Sequence, residues 1–263
     1  MPSLSVHKDF QRVRDLKFCY LCGKEFNADD DTDHDHVPAK TTFNVRDRRQ
    51  NVLKLKTHRD CNSSQSVDDK KAGQLIAPRR GEGPRSARDQ ALALRAYRGL
   101  GVAVENLNVD AAVWRWVKGF HAALYDEPLV GNQYALLTPF PRADVLSDGR
   151  PRVRAIREQD LIAVDVVKTN RAFGNLDSIV AYNRKLRYEC VWCQADDGVR
   201  WLCCFGLDIY DWKDLGMHSE EIPARGCSGI YSQNDLTVPE GATLNRQTTI
   251  AIPNLDKLDP FAP

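Results

Sequence analysis

The chain has 263 residues, 42% hydrophobic and 28% charged, and its 37 Lys and Arg against 36 Asp and Glu give a net charge of +1. This composition is that of an ordinary globular protein and excludes a disordered, collagenous or uniformly basic chain. No apolar run approaches the roughly 18 to 20 residues that cross a bilayer, and the first residues do not resemble a signal peptide. We therefore expect a cytoplasmic protein that has no contact with a membrane.

The charge is distributed unevenly along the chain. The first hundred residues carry 20 Lys and Arg and 14 Asp and Glu, a balance of +6, whereas the remaining 163 carry 17 and 22, a balance of −5. This asymmetry favours a polyanionic partner for the N-terminal part. A run rich in Pro, Gly and Arg predicts a linker over 77–88, between a module over 1–76 and a second domain over 89–263.

Two short motifs near the N-terminus have the spacing of metal ligands. Two residues separate Cys19 from Cys22, and Gly23 follows, which permits a tight turn. Two residues also separate His58 from Cys61. Without a secretion signal, cysteines are more often reduced thiols or metal ligands than disulfides. These four residues predict a structural zinc site, because four protein ligands leave no open position. Unrelated buried cysteines are the alternative.

Three further motifs lie around these ligands. Asp35-His36-Val37-Pro38 follows an acidic run, Asn51 precedes an apolar segment, and Asn62 comes directly after Cys61. In order and spacing, residues 17–75 resemble the zinc-stabilised HNH endonucleases of the His-Me finger class. The resemblance implies a ββα-metal fold in which the acidic residue and the His end a strand and the last Asn opens a helix. Gln65 and Ala39 depart from residues common in that family, so the resemblance does not define the phosphate contacts.

The residue types agree with phosphodiester hydrolysis. An imidazole with a pKa of about 6.5 is suited to take a proton from water at neutral pH, so His36 is the expected general base. Mg²⁺ or Mn²⁺ prefers carboxylate and amide oxygens, which Asp35 and Asn62 offer. The resemblance gives Asn51 the role of holding the loop and orienting His36.

Basic residues are frequent between Cys22 and Cys61. Such a cluster is expected to contact DNA phosphates without reading the base sequence, although an isolated run of this kind is more often a solvated surface. The expected contacts are Lys40, Arg46, Arg48, Arg49, Lys54, Lys56 and Arg59.

Other assignments stay open for the same residues. His34 also follows an aspartate, so a shifted register would make it the base in place of His36. Asn51 is open to a simple turn role and Asn62 to a helix cap.

Beyond the linker, the pattern predicts helices followed by strands. One helix is expected from near Ser86 to about Arg98 and a second over 110–125, where Val113, Val117, Phe120 and Leu124 recur at helical spacing. Strands are expected over 134–138, 161–167, 187–193, 199–205 and 248–252. The fold class is therefore α+β, with an N-terminal zinc-stabilised ββα-metal module, a helical segment and a mostly β C-terminal domain.

The C-terminal part holds five more cysteines. In an extended strand Cys190 and Cys193 face opposite sides, as do Cys203 and Cys204, so a second zinc site is not expected and burial is favoured. Cys227 stands apart from both pairs.

Together these motifs predict a metal-dependent endonuclease that hydrolyses DNA, with RNA not excluded as a substrate. The family association points to defence against foreign DNA. The acidic C-terminal part is a poor candidate for the main nucleic-acid surface, and a partner protein is one of its expected ligands. The alternative is a non-catalytic zinc module that binds nucleic acid or protein. The sequence leaves the oligomeric state open.

Overall fold

The computed structural model describes residues 2–64, 66–76, 94–97, 101–104, 109–129, 134–137, 143–145, 151–153, 158–195, 198–199, 201–210, 227–232 and 237–250. These residues form a mixed α+β fold, as predicted. The helices are α1 (His7–Arg12), α2 (Arg59–Ser63), α3 (Ser66–Ile76), α4 (Val109–Tyr125) and α5 (Glu158–Ala172). The strands are β1 (Ser3–Leu4), β2 (Thr32–His36), β3 (Lys54–His58), β4 (Leu94–Tyr97), β5 (Gly101–Val104), β6 (Tyr134–Leu137), β7 (Ala143–Val145), β8 (Pro151–Val153), β9 (Asp177–Ala181), β10 (Leu186–Ala195), β11 (Trp201–Ile209), β12 (Cys227–Ser232) and β13 (Leu244–Ile250).

A seven-stranded sheet forms the largest unit. Its strand order is β1-β9-β10-β11-β12-β6, and β13 pairs with β10 beyond the end of β9. Neighbours in the middle of the sheet are antiparallel, whereas β1 and β13 run parallel to their partners. The N-terminal strand β1 thereby joins a sheet whose other strands all lie in the second half of the chain.

The two strands β2 and β3 form a separate antiparallel pair. Asp35 lies opposite Leu55 and His36 opposite Lys54, and α2 begins directly after β3 at Arg59. This order of two strands and a helix is what the resemblance implied for the N-terminal segment. The identity of the segment as an HNH module stays a prediction.

Helix α4 packs between this strand pair and the large sheet. Predicted over 110–125, it runs over Val109–Tyr125, so the prediction is confirmed. A helix that is apolar on most sides is expected to be buried, and the side chains from Ala112 to Val117 and from Phe120 to Leu124 are buried. Gly119 lies against Val37 beside β2, and Phe120 contacts Tyr188 of β10.

The segment 161–167 is helical and not a strand, so that prediction is wrong. Its β-branched residues favour extended structure, but Ala163, Val166 and Val167 fall on one face of α5. They pack with Val191 and Cys204 on the side of the sheet away from α4. Burial of that face against the sheet overrides the local preference.

The predicted helix ending near Arg98 is wrong for its last residues, since Leu94–Tyr97 form β4. This strand pairs with β5, with Leu94 opposite Val104 and Tyr97 opposite Gly101. The glycine expected to stop a helix instead begins the partner strand. The earlier part of that helix and the predicted linker over 77–88 lie outside the described residues.

The strands predicted over 134–138, 187–193 and 199–205 are confirmed as β6, β10 and β11. The prediction over 248–252 is confirmed as far as Ile250, where the description of β13 ends. The expected facing of the cysteines also holds, because Cys190 and Cys203 lie in one buried cluster and Cys193 and Cys204 in another.

One apolar core joins the N-terminal segment to α4 and the large sheet. Tyr20, Val37 and Leu55 from the N-terminal segment belong to the same buried cluster as Phe120 and Tyr188. The boundaries predicted at 76 and 89 stay a prediction, and the buried contacts link the residues on either side of them. Among the helices that the structure describes, none has both the length and the apolar character needed to cross a bilayer.

Candidate metal centre and adjoining polar cluster

The four predicted zinc ligands meet at one point. The ligand atoms of Cys19, Cys22, His58 and Cys61 all lie within 4.8 Å of one another, and Cys22 Sγ is 3.4 Å from His58 Nδ1. Tetrahedral zinc, with bonds of roughly 2.0 to 2.3 Å, places its ligand atoms about 3.4 to 3.8 Å apart. The cluster could therefore hold a metal ion such as zinc, and the predicted convergence is confirmed.

Local backbone geometry forms the first half of this cluster. The N–H of Cys19 donates to Lys24 O at 2.8 Å, and the N–H of Gly23 donates to Cys19 O at 2.7 Å. Gly23 has φ 77°, a left-handed conformation that costs glycine little. The turn thus brings two sulfurs to one side.

The second half comes from the junction of β3 and α2. His58 presents Nδ1 to the cluster, and its Nε2 lies 3.2 Å from Asp30 Oδ2. A carboxylate on the outer nitrogen fixes the tautomer and orientation of a ligating His. Asp30 is in turn held by the N–H of Asn27 at 2.7 Å.

The electrostatics of the three cysteine thiols favour binding of a cation. Burial and the nearby sulfurs of Cys19 and Cys22 raise the pKa of Cys61 to about 12. Burial works in the same direction on Cys22, but hydrogen bonds from Lys24 and His58 lower its pKa overall. Three thiolates at this separation repel one another, and a bound cation removes that cost.

A second polar cluster lies beside the metal centre, around Arg115 of α4. Its NH2 group donates to Asp35 Oδ2 at 2.5 Å and to Asn62 Oδ1 at 3.4 Å, and its NH1 group donates to Asp69 Oδ1 at 2.6 Å. Tyr20 also donates to Asp35 Oδ2, at 2.6 Å. We call these residues the Arg115 cluster: Arg115, Asp35, Asn62, Asp69 and Tyr20.

The hydrogen bonds of this cluster involve Asp35 and Asn62, the two residues expected to bind a divalent ion. The structure brings Asp35 and Asn62 together, as the resemblance implied, but the oxygens of both accept hydrogen bonds from the guanidinium. The side chains of Asp35 and Arg115 are 7% and 8% exposed. As arranged, these residues do not fit the resident Mg²⁺ or Mn²⁺ ion that was expected at Asp35 and Asn62.

His36 lies apart from the Arg115 cluster. Consecutive side chains in a strand project to opposite faces, and Asp35 is buried whereas His36 is half-buried. Burial and, after it, the positive charges of Lys54 and Lys40 lower the pKa of His36 to about 4. The imidazole is therefore neutral at neutral pH, the state in which it accepts a proton, and the lowered pKa makes it a weaker base than an ordinary histidine.

His34, the alternative base, lies two residues earlier on the same strand. Its Nε2 lies 3.2 Å from Asp15 Oδ1, and the side chain is 31% exposed. That contact gives His34 a carboxylate partner, whereas the charged groups that act most on His36 are cations.

Asn51 holds the chain at a different place from the one expected. Its side-chain Nδ2 donates to Ser5 O at 2.8 Å, and its backbone carbonyl accepts from the N–H of Tyr182 at 3.0 Å. The loop after His36 is instead held by the Tyr182 hydroxyl, which lies 3.0 to 3.3 Å from the carbonyl oxygens of Val37, Pro38 and Leu53. The described contacts of Asn51 reach the N-terminal segment and not His36.

The expected phosphate contacts fall into separate groups. Lys40, Arg48 and Lys54 are near enough to His36 to lower its pKa. Lys56 covers the Phe26 ring with its Nζ 4.6 Å from the centroid, and Arg59 pairs with Asp31 at 3.2 Å. Arg46 and Arg49 are exposed.

Sequence reasoning missed four residues that build these sites: Tyr20, Asp69, Arg115 and Tyr182. One signal was present for Arg115, since it is a charge between two tryptophans in a helix predicted to be apolar. No local pattern marked the other three, because their partners lie far away in the chain.

Comparison of the chain with protein-family models gives no match, and comparisons with curated proteins and with solved structures give none either. The resemblance to HNH endonucleases therefore rests on the residues of this chain alone.

Proposed function

We propose that this protein is a zinc-stabilised endonuclease of the HNH type that hydrolyses phosphodiester bonds in DNA, with His36 as the general base. The observation that carries the proposal is the order of β2, β3 and α2 beside the Cys₃His cluster, with a neutral imidazole among cations where β2 ends. Zinc on Cys19, Cys22, His58 and Cys61 has a structural role, because the four ligands close its coordination shell.

The chemistry proposed for His36 is proton abstraction from water. The oxygen of that water forms a bond to phosphorus, the proton moves to the imidazole, and the bond from phosphorus to the 3′ oxygen breaks, that oxygen taking a proton from solvent water as it leaves. Lys40, Arg48 and Lys54 supply positive charge to the phosphate. Arg115 holds Asp35 Oδ2 and Asn62 Oδ1, so the proposed chemistry does not use the divalent ion that the resemblance implies.

A second candidate is a non-catalytic zinc module that binds nucleic acid. The observation in its favour is the separation of the expected catalytic set, since Asp35 and Asn62 contact Arg115 while His36 faces away from them. This candidate predicts DNA binding that needs no Mg²⁺ and no strand cleavage with any divalent ion.

Three further proposals concern the biological role, a partner protein and the substrate. Action against foreign DNA follows from the resemblance, and a partner protein for residues 89–263 follows from their acidic balance. RNA is a further substrate to test, because the proposed chemistry does not itself read the sugar.

The test is cleavage of supercoiled plasmid, single-stranded DNA and RNA by wild type, His36→Ala and His34→Ala, each with Mg²⁺, with Mn²⁺ and without added divalent ion. His34→Ala is the matched control, because it removes the same side chain two residues away on the same strand. We expect His36→Ala alone to lose cleavage, by about a hundredfold or more, with unchanged zinc content. Equal loss in both variants would contradict the assignment, and binding without cleavage by wild type would favour the second candidate.

A further inference from the structure

The guanidinium of Arg115 has the surroundings of a bound cation. Its nitrogen atoms lie 2.5 Å from Asp35 Oδ2, 2.6 Å from Asp69 Oδ1 and 3.4 Å from Asn62 Oδ1, so three side chains direct oxygens at one positive group. Two of these side chains are the ones expected to hold a divalent ion. We propose that Arg115 is the resident cation of this site and excludes Mg²⁺ and Mn²⁺ from it.

The packing of α4 holds this guanidinium in place. Trp114 and Trp116, on either side of Arg115, are buried. One turn further along, a Cβ atom on Gly119 would lie 2.7 Å from Val37 Cγ1, so the helix backbone is in close contact with the residue that follows His36. A shift of α4 that withdrew Arg115 would break these contacts together.

Charge explains why a divalent ion would be excluded. Arginine stays protonated at any pH that the protein tolerates, and an ion bound to Asp35 and Asn62 would lie about 4 Å from its guanidinium. Repulsion between a single and a double positive charge at about that distance near a protein surface weakens binding by on the order of a thousandfold or more. The guanidinium also uses the acceptor oxygens that the ion would need.

This inference rests on the proposed function only for the identity of the ion that the site would otherwise hold. It is tested by binding and not by cleavage. Zinc-loaded protein is titrated with Mn²⁺, and the free ion is followed by electron paramagnetic resonance. The proteins compared are wild type, Asp35→Asn, Arg115→Ala, Arg115→Lys and the double variant Arg115→Ala with Asp35→Asn.

We expect wild type and Arg115→Lys to leave Mn²⁺ free. Arg115→Ala is expected to bind one equivalent, about a hundredfold tighter or more, and the double variant to lose that site. Arg115→Gln, which is neutral and closer in size, replaces Arg115→Ala if the smaller side chain prevents folding.

Two results would overturn the inference. One is a Mn²⁺ ion bound to wild type that Asp35→Asn removes, since the guanidinium would then not exclude it. The other is a folded, zinc-loaded Arg115→Ala protein that binds no Mn²⁺, since the oxygens would then not form an ion site at all. Failure of the proposed function would appear separately, as absence of cleavage or as cleavage that survives loss of His36.

Discussion

The contact between Gly119 of α4 and the loop after β2 makes a quantitative prediction. A Cβ atom on Gly119 would lie 2.7 Å from Val37 Cγ1, 3.0 Å from Val37 Cγ2 and 3.2 Å from Tyr20 Cε2. Val37 and Tyr20 are 0% and 1% exposed, so neither has space to move into. Gly119→Ala therefore combines a gain in helix propensity with a steric clash in the core.

The two effects have known sizes. Replacing Gly by Ala inside a helix stabilises it by about 1 kcal/mol, whereas an extra methyl group in a well-packed core costs about 1 to 3 kcal/mol. Because Val37 and Tyr20 are both buried, we expect the clash to outweigh the gain in helix propensity, with a net loss of up to about 2 kcal/mol. Urea unfolding at constant m value measures this difference.

A double-mutant cycle isolates the clash. In a Val37→Ala background the two contacts with the Val37 methyl groups are gone and the contact with Tyr20 Cε2 remains, so Gly119→Ala should there stabilise the protein by up to about 1 kcal/mol. An equal gain in the wild-type background would refute the reasoning, because it would show that α4 does not press on Val37.

Three other predictions concern the metal centre, pH and DNA binding. Cys61→Ser should lose zinc and several kcal/mol of unfolding free energy, whereas Cys203→Ser should keep its zinc; a full zinc complement in Cys61→Ser would contradict the site. Burial lowers the pKa of His121 in the folded protein, so the unfolded chain binds more protons below about pH 6.5 and stability should fall there, by at most about 1.4 kcal/mol per pH unit from this residue. His36, whose pKa is also lowered, adds to this fall. His121→Asn should flatten this dependence in urea unfolding at several pH values, and an unchanged slope would exclude His121 as its source. Lys54→Ala should weaken DNA binding and lower the salt slope by about one, and Arg59→Ala, whose side chain pairs with Asp31, should do so less; the reverse order in a salt titration would move the interface towards Arg59.

The parts that sequence predicted correctly are those with a local cause. The metal cluster follows from two pairs of ligands at fixed spacing, and α4 follows from its apolar periodicity. Helix α5 was missed because its β-branched residues favour a strand locally, and only the sheet beneath them decides the outcome.

Local sequence patterns could not predict the Arg115 cluster, because its members lie far apart in the chain. Arg115 is 80 residues from Asp35, 53 from Asn62 and 46 from Asp69 along the chain. Local motifs singled out the carboxylate and the amide, but the cation between them comes from a helix 80 residues beyond Asp35. The same holds for Tyr182, which holds the loop after His36 from a position 145 residues beyond Val37.

This arrangement gives α4 a double role in the fold. Through Gly119 and Arg115 it contacts the segment that carries Asp35 and His36, and through Phe120 it contacts the large sheet. Changes in the sheet are therefore expected to reach the site through α4. Stability and any catalytic activity should be coupled across the two parts of the chain.

Removing Arg115 should be costly for stability as well as for ion exclusion. Breaking a buried ion pair by deleting one partner typically costs about 3 to 5 kcal/mol, because the remaining charge is left without a counterion. In Arg115→Ala, Asp35 and Asp69 would lose that counterion. Added Mn²⁺ should recover part of this loss by binding the same oxygens.

The most direct test of the central claim is plasmid cleavage by His36→Ala beside wild type and His34→Ala, with zinc content measured on every preparation. The account predicts that wild type and His34→Ala convert supercoiled plasmid to nicked or linear DNA while His36→Ala, with its zinc intact, does not. Cleavage by His36→Ala at the wild-type rate, or no cleavage by zinc-loaded wild type with or without added divalent ion, would contradict it.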